Sequence, residues 1–120
     1  MKAGKAWGQT ELVFSAPTCE LHRIHVEPGG FCSKHLHQSK WNAFYVLRGS
    51  LVVEVWKMSG TVDKTRLLAG DGMTVAPGEL HRFMHDDADA GVTEALELYY
   101  TALDPGDIQR EDVGGMRDVT

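Results

Sequence analysis

Apolar and polar positions alternate with a period of two along most of the chain, and no stretch carries the 3.6-residue apolar period of an amphipathic helix. Between Cys19 and Val26, Leu21, Arg23 and His25 share one face while His22, Ile24 and Val26 share the other. Polar groups on both faces mark a strand at a sheet edge or beside a wet cavity. Phe44–Trp56 is the most β-prone segment, and Gly49-Ser50 splits it into two runs expected to pair as a hairpin, with Leu51–Val55 as core. Shorter strands are predicted over Glu11–Phe14, Lys64–Leu68, Met73–Ala76 and Thr93–Leu103. In the last, Leu96, Leu98 and Tyr100 oppose Glu97, Tyr99 and Thr101. Roughly eight short strands separated by Gly/Pro turns predict an all-β barrel or jelly roll.

A chain of 120 residues supports one core. Residues 11–103 are expected to form the barrel. Residues 1–10 read as a flexible arm, interrupted by Gly4 and Gly8, with Trp7 docking part of it. Residues 104–120 read as a polar tail, and Asp86–Gly91 as an exposed acidic loop. A net charge of −5 with scattered cations argues against nucleic acid as partner. No segment approaches the roughly 20 apolar residues of a membrane helix, and the N-terminus lacks a signal-type apolar run, so the expectation is a cytoplasmic protein without a membrane partner. Cys19 and Cys32 are too few for a disulfide framework.

The candidate chemistry lies in histidine. His35 and His37 are two apart, so on extended backbone both imidazoles point to one side. His81, following the Pro77-Gly78 turn, is the best candidate for a third donor. Three neutral nitrogens suit a divalent transition metal such as zinc, iron, manganese, nickel or copper. A His-x-His pair alone is more often a surface or structural pair; the third histidine is what favours a metal. His22 and His25 read as strand residues satisfied by neighbours, and Cys32 as a packing residue on the face opposite His35.

The same stretches carry a family resemblance. Gly29, His35, His37, Asn42 and Gly49 resemble the first cupin motif, with Asn42 at the position usual for Glu. Gly70, Ala76-Pro77-Gly78, His81 and His85 are similar to the second, with His85 at the position usual for Asn. The resemblance implies a small cupin-type double-stranded β-helix (jelly-roll) barrel, commonly a homodimer, with His35, His37 and His81 around the metal. Asn42 then either hydrogen-bonds a metal-bound water or points away. With no anionic ligand, the ion keeps its charge toward the cavity and should attract an anionic or chelating small molecule. His85, about 13 Å further along a strand than His81, is expected to line the pocket mouth rather than share the metal. Glu97 and Tyr99 contact the site if their face of the last strand looks inward.

Lys40–Trp56, Glu79-Leu80-His81-Arg82-Phe83 and the tail from Asp107 resemble the cupin domain of type II mannose-6-phosphate isomerases. That implies a sugar-phosphate isomerase-like activity with Glu97 as catalytic base. A His-only dioxygenase and a non-catalytic metabolite-binding cupin, including one with a vestigial site, are the alternatives.

Overall fold

The computed structural model describes residues 2–118. Met1 of the expected arm and residues 119–120 of the expected tail lie outside the described residues. The chain forms β1 (Lys2–Lys5), β2 (Gly8–Ala16), β3 (Cys19–Val26), β4 (Trp41–Arg48), β5 (Ser50–Trp56), β6 (Val62–Leu68), β7 (Gly72–Val75), β8 (Leu80–His85) and β9 (Thr93–Tyr100). No helix occurs among the described residues. Antiparallel pairing arranges the strands as a six-stranded sheet, β1-β2-β3-β9-β4-β7, and a three-stranded sheet, β6-β5-β8. The all-β jelly-roll expectation is met.

Alternation determines which residues meet between the sheets. Ile24 and Val26 from β3, Phe44 and Val46 from β4 and Ala95 from β9 face Leu51, Val53 and Val55 from β5 and Phe83 from β8, all buried. At about 25 cal/mol per Å² of apolar surface removed from water, this shared core is the main source of stability. The opposite face of the larger sheet carries the cross-strand row Phe14, Leu21, Leu98 and Ala43.

Three expectations are corrected. Phe44–Trp56 is not a hairpin: β4 pairs with β7 and β9, while β5 pairs with β6 and β8. Gly49 alone separates the two strands, too little for the two-residue turn a tight hairpin needs. Its φ of 79° turns the chain from one sheet to the other, and a Cβ there would lie 3.0 Å from Thr93 Oγ1.

The segment expected as an irregular arm is mostly strand, because β1 pairs with β2 from Lys2↔Glu11 to Lys5↔Gly8. Gly8 permits this: its φ is 148°, and a Cβ would sit 1.9 Å from the carbonyl oxygen of His25. Trp7 does dock, its ring edge-on to Phe83 at 4.9 Å. Third, Asp86 of the supposedly exposed loop is buried, bound by Arg66 and by the Ser50 hydroxyl at 2.9 Å. The Arg66 guanidinium holds its carboxyl down to about 2.

Candidate metal centre

His35 belongs to a segment that meets β8 at only two isolated bridges, Phe31↔Met84 and His35↔His81. The second is an exchanged backbone pair, His35 N to His81 O at 3.0 Å and His81 N to His35 O at 2.9 Å. Directly paired residues project side chains to the same face. The rings of His35 and His81 lie 4.8 Å apart; His37, two residues on, lies 5.0 Å from His35 and 5.7 Å from His81. The Pro77-Gly78 turn secures this register, Gly78 N donating to His37 O at 2.7 Å and Ala76 N to Glu79 Oε1 at 2.9 Å. The three expected ligands therefore converge, one donor atom from each lying within 4.8 Å of the others.

Hydrogen bonds orient the rings. His35 Nδ1 donates to Ser33 O at 2.7 Å, and His81 Nδ1 to Glu79 O at 2.8 Å. A carbonyl can only accept, so in both neutral rings the lone pair is on Nε2, the arrangement metal-binding histidines use. His37 Nε2 is buried without a hydrogen-bond partner. Burial and the neighbouring His35 lower the proton affinity of both His37 and His81, favouring neutral rings.

Asn42 adds a fourth polar group to the cluster. It is fully buried, its Nδ2 donating to Leu98 O at 3.3 Å and Glu97 Oε2 at 3.4 Å, which turns Oδ1 onto His81 Nε2 at 3.1 Å. With His81 neutral, two acceptors face each other there without a hydrogen between them. A cation held there would satisfy both, as well as the orphaned nitrogen of His37. The residues fit a divalent metal with His35, His37 and His81 as ligands. Ligands about 2.1 Å from one ion stand roughly 3–3.5 Å apart, so the rings would draw in by about an ångström. Asn42 does not point away; its oxygen faces the site.

Beside the cluster opens a cavity of about 390 Å³, lined by His35, His37, Glu97 and Tyr99 and by the exposed Lys5 and Lys40. His81 and Asn42, both buried, touch the lining residues His35 and Glu97. The parity left open by the sequence is resolved: Glu97 and Tyr99 look inward. Glu97 is 6% exposed, and burial raises its proton affinity against the opposing hydrogen bonds of Tyr99 and Asn42. Burial and the Glu97 charge likewise push the Tyr99 hydroxyl up.

His85 does not line the mouth. It lies at the other end of β8, buried beyond Phe83, with Nε2 donating to Gly91 O at 2.6 Å. Side chains at i and i+4 share a strand face, but strand rise carries the second away from the first.

Sequence reasoning missed other residues of the cavity. Cys32 packs in the core, as expected, accepting from Phe83 N at 3.2 Å, yet it also lines the cavity, because residues 31–40 are not a regular strand and do not alternate strictly. Burial raises its thiol to about 11. His22 also faces the cavity, its nitrogens 3.2 Å from Thr10 Oγ1 and Glu20 Oε2. Its place on the Ile24–Val26 face was the available signal. Trp7 signalled only that the arm docks, and Lys5 gave no signal, since β1 exists only through its pairing with β2.

No curated protein matches the chain. Among solved structures it is similar to KdgF from Halomonas sp., at 20% identity and TM-score 0.64, covering 80% of each chain. It is similar to the capsular polysaccharide assembling protein CapF from Staphylococcus aureus, at 14% identity and TM-score 0.75, covering 89% of this chain and 32% of that one. It is also similar to an oxalate oxidase in complex with the substrate analogue glycolate, at 16% identity and TM-score 0.63, covering 70% of this chain and 42% of that one. These likenesses speak to fold. The Cupin domain family matches residues 22–98, well over half of the sequence, and the chain belongs to that family.

Proposed function

We propose that this cupin binds one divalent transition-metal ion through His35, His37 and His81 and acts on a small chelating anion, with Glu97 as its proton-transfer group. The observation that carries the reading is the unpartnered, buried Nε2 of His37 beside two rings whose Nδ1 atoms are tied to backbone carbonyls. Such an ion polarises a carbonyl or hydroxyl oxygen of its ligand. The donor set is neutral, so the cavity favours anions. The glycolate bound to the similar oxalate oxidase is a 2-hydroxy acid, which supports a hydroxy- or oxo-acid ligand.

Glu97 favours an isomerase-type reaction over a dioxygenase or a passive binder. A buried carboxylate with raised proton affinity is a strong base. It takes a proton from a hydroxyl-bearing carbon beside a carbonyl, and the C–H pair becomes a C=C bond as the carbonyl π pair moves onto oxygen. The hydroxyl proton passes to that oxygen, and Glu97 returns a proton, exchangeable with solvent, to the former carbonyl carbon, leaving the carbonyl on its neighbour. Tyr99 and Asn42 hold the carboxyl in place by hydrogen bonds. The resemblance to mannose-6-phosphate isomerases makes sugar phosphates the first substrates to test.

His35→Ala and His81→Ala should each lose bound metal in elemental analysis while circular dichroism still reports a β-barrel. Unchanged metal content in both contradicts the site. Metal-loaded protein incubated with sugar phosphates in D₂O should exchange the hydrogen beside the carbonyl, read by NMR, and Glu97→Gln should not.

A further inference from the structure

We infer that Lys5 and Lys40 form a second recognition point in the metal-site cavity, so that the ligand is a hydroxy or oxo acid carrying a further carboxylate or phosphate. The inference rests on the proposed metal site and adds the far end of the ligand. The chain is acidic overall, with a net charge of −5, yet two exposed lysines line this cavity. Between Lys2 and Tyr100, every other lysine or arginine except Lys34 contacts a carboxylate: Lys2 with Glu11, Arg23 and Arg48 with Glu94, Lys57 with Glu79, Arg66 with Asp86, and Lys64 and Arg82 with Glu54. Lys34 rests on the ring of Trp56 at 4.1 Å.

Lys5 and Lys40 have no such partner among the described residues. The acids in this cavity do not serve them: Glu97 is buried, and Glu20 bonds His22 at 3.2 Å. Lys40 lies 5.4 Å over the ring of Tyr99, which is itself 5.3 Å from the ring of His37. One aromatic ring therefore separates this ammonium from the metal cluster, a span suited to a ligand of a few carbons. Lys40, Glu20 and Tyr99 also border an adjoining cleft of about 330 Å³, which leaves room beyond the lysine for a longer ligand.

The test uses three 2-hydroxy acids sharing the same chelating end: 2-hydroxybutanoate, malate with a second carboxylate, and 3-phosphoglycerate with a phosphate. Each is titrated calorimetrically into the zinc-loaded full chain and into the K5Q/K40Q variant. Malate or 3-phosphoglycerate should bind the unmodified protein at least about fivefold more tightly than 2-hydroxybutanoate, a ratio within reach of two exposed ion pairs. The variant should reduce that advantage to within about twofold and leave 2-hydroxybutanoate unchanged. The tighter of the two probes identifies the anionic group. Equal affinities in the unmodified protein, or an advantage that survives in the variant because the metal alone holds the second anion, overturn the inference while leaving the metal site standing. Failure to take up zinc overturns the metal site and the inference with it.

Discussion

Asn42→Asp changes charge at almost constant shape, at a fully buried position whose oxygen meets His81 of the proposed metal site. In the metal-free protein the substitution removes two donated hydrogen bonds, to Leu98 O and Glu97 Oε2, and sets an acceptor against each. A buried polar group left unpaired costs about 1–3 kcal/mol, so the apo fold should lose about 2–4 kcal/mol, on the order of 10 °C in Tm for a domain of this size. In the metal-bound protein the sign reverses. Unit charges 4 Å apart attract by about 4 kcal/mol at an effective dielectric of 20, and the ion carries two. Desolvation and the proximity of Glu97 offset most of this. A net gain of 1.4 kcal/mol suffices for tenfold tighter binding, and at least about tenfold is expected. Competition against a fluorescent zinc chelator gives the affinity, and thermal unfolding with and without zinc gives the two stabilities. Unchanged affinity together with unchanged apo stability would refute the placement of Asn42 Oδ1 at the ion.

Glu97→Gln tests the buried acid without metal. Burial raises its pKa above the ordinary 4.5, so the stability it contributes is present below that pH and lost as pH rises through the raised value. Metal-free Glu97→Gln should therefore gain Tm relative to the unmodified protein as pH rises above the ordinary 4.5, and a constant offset would contradict the assignment. Gly8→Ala should cost more than about 2 kcal/mol, because the new Cβ meets the His25 carbonyl at 1.9 Å on backbone that disfavours side chains. Gly4→Ala, where nothing lies within 4 Å, is the control; equal melting temperatures for the two variants would sink the close-approach reading.

The histidine cluster was legible in the sequence because two of its members are two residues apart and the third follows a recognisable turn. His35 and His37, two residues apart, point to one side although their segment is not a regular strand, and a Pro-Gly turn holds His81 against them. The core was legible because Ile24, Val26, Leu51 and Val53 follow the period of two. Long-range pairing was not. The two runs around Gly49 look like hairpin arms, and only their partners, β9 and β8, reveal that they belong to different sheets. β1 escaped notice because its residues are exposed and lack an apolar period, its existence depending on β2. Asp86 looked exposed because its partners, Arg66 and Ser50, are distant in sequence. The inward parity of Glu97 follows from β9 lying between β3 and β4, a matter of topology rather than pattern.

The central claim is that three imidazoles of one barrel hold one ion. X-ray absorption at the metal edge of protein purified with zinc tests it most directly, combined with metal-to-protein stoichiometry. One ion per chain should appear, with nitrogen neighbours at about 2.0–2.1 Å and the multiple scattering of about three imidazole rings. Substoichiometric metal, or a coordination sphere without imidazole scattering, would contradict the account.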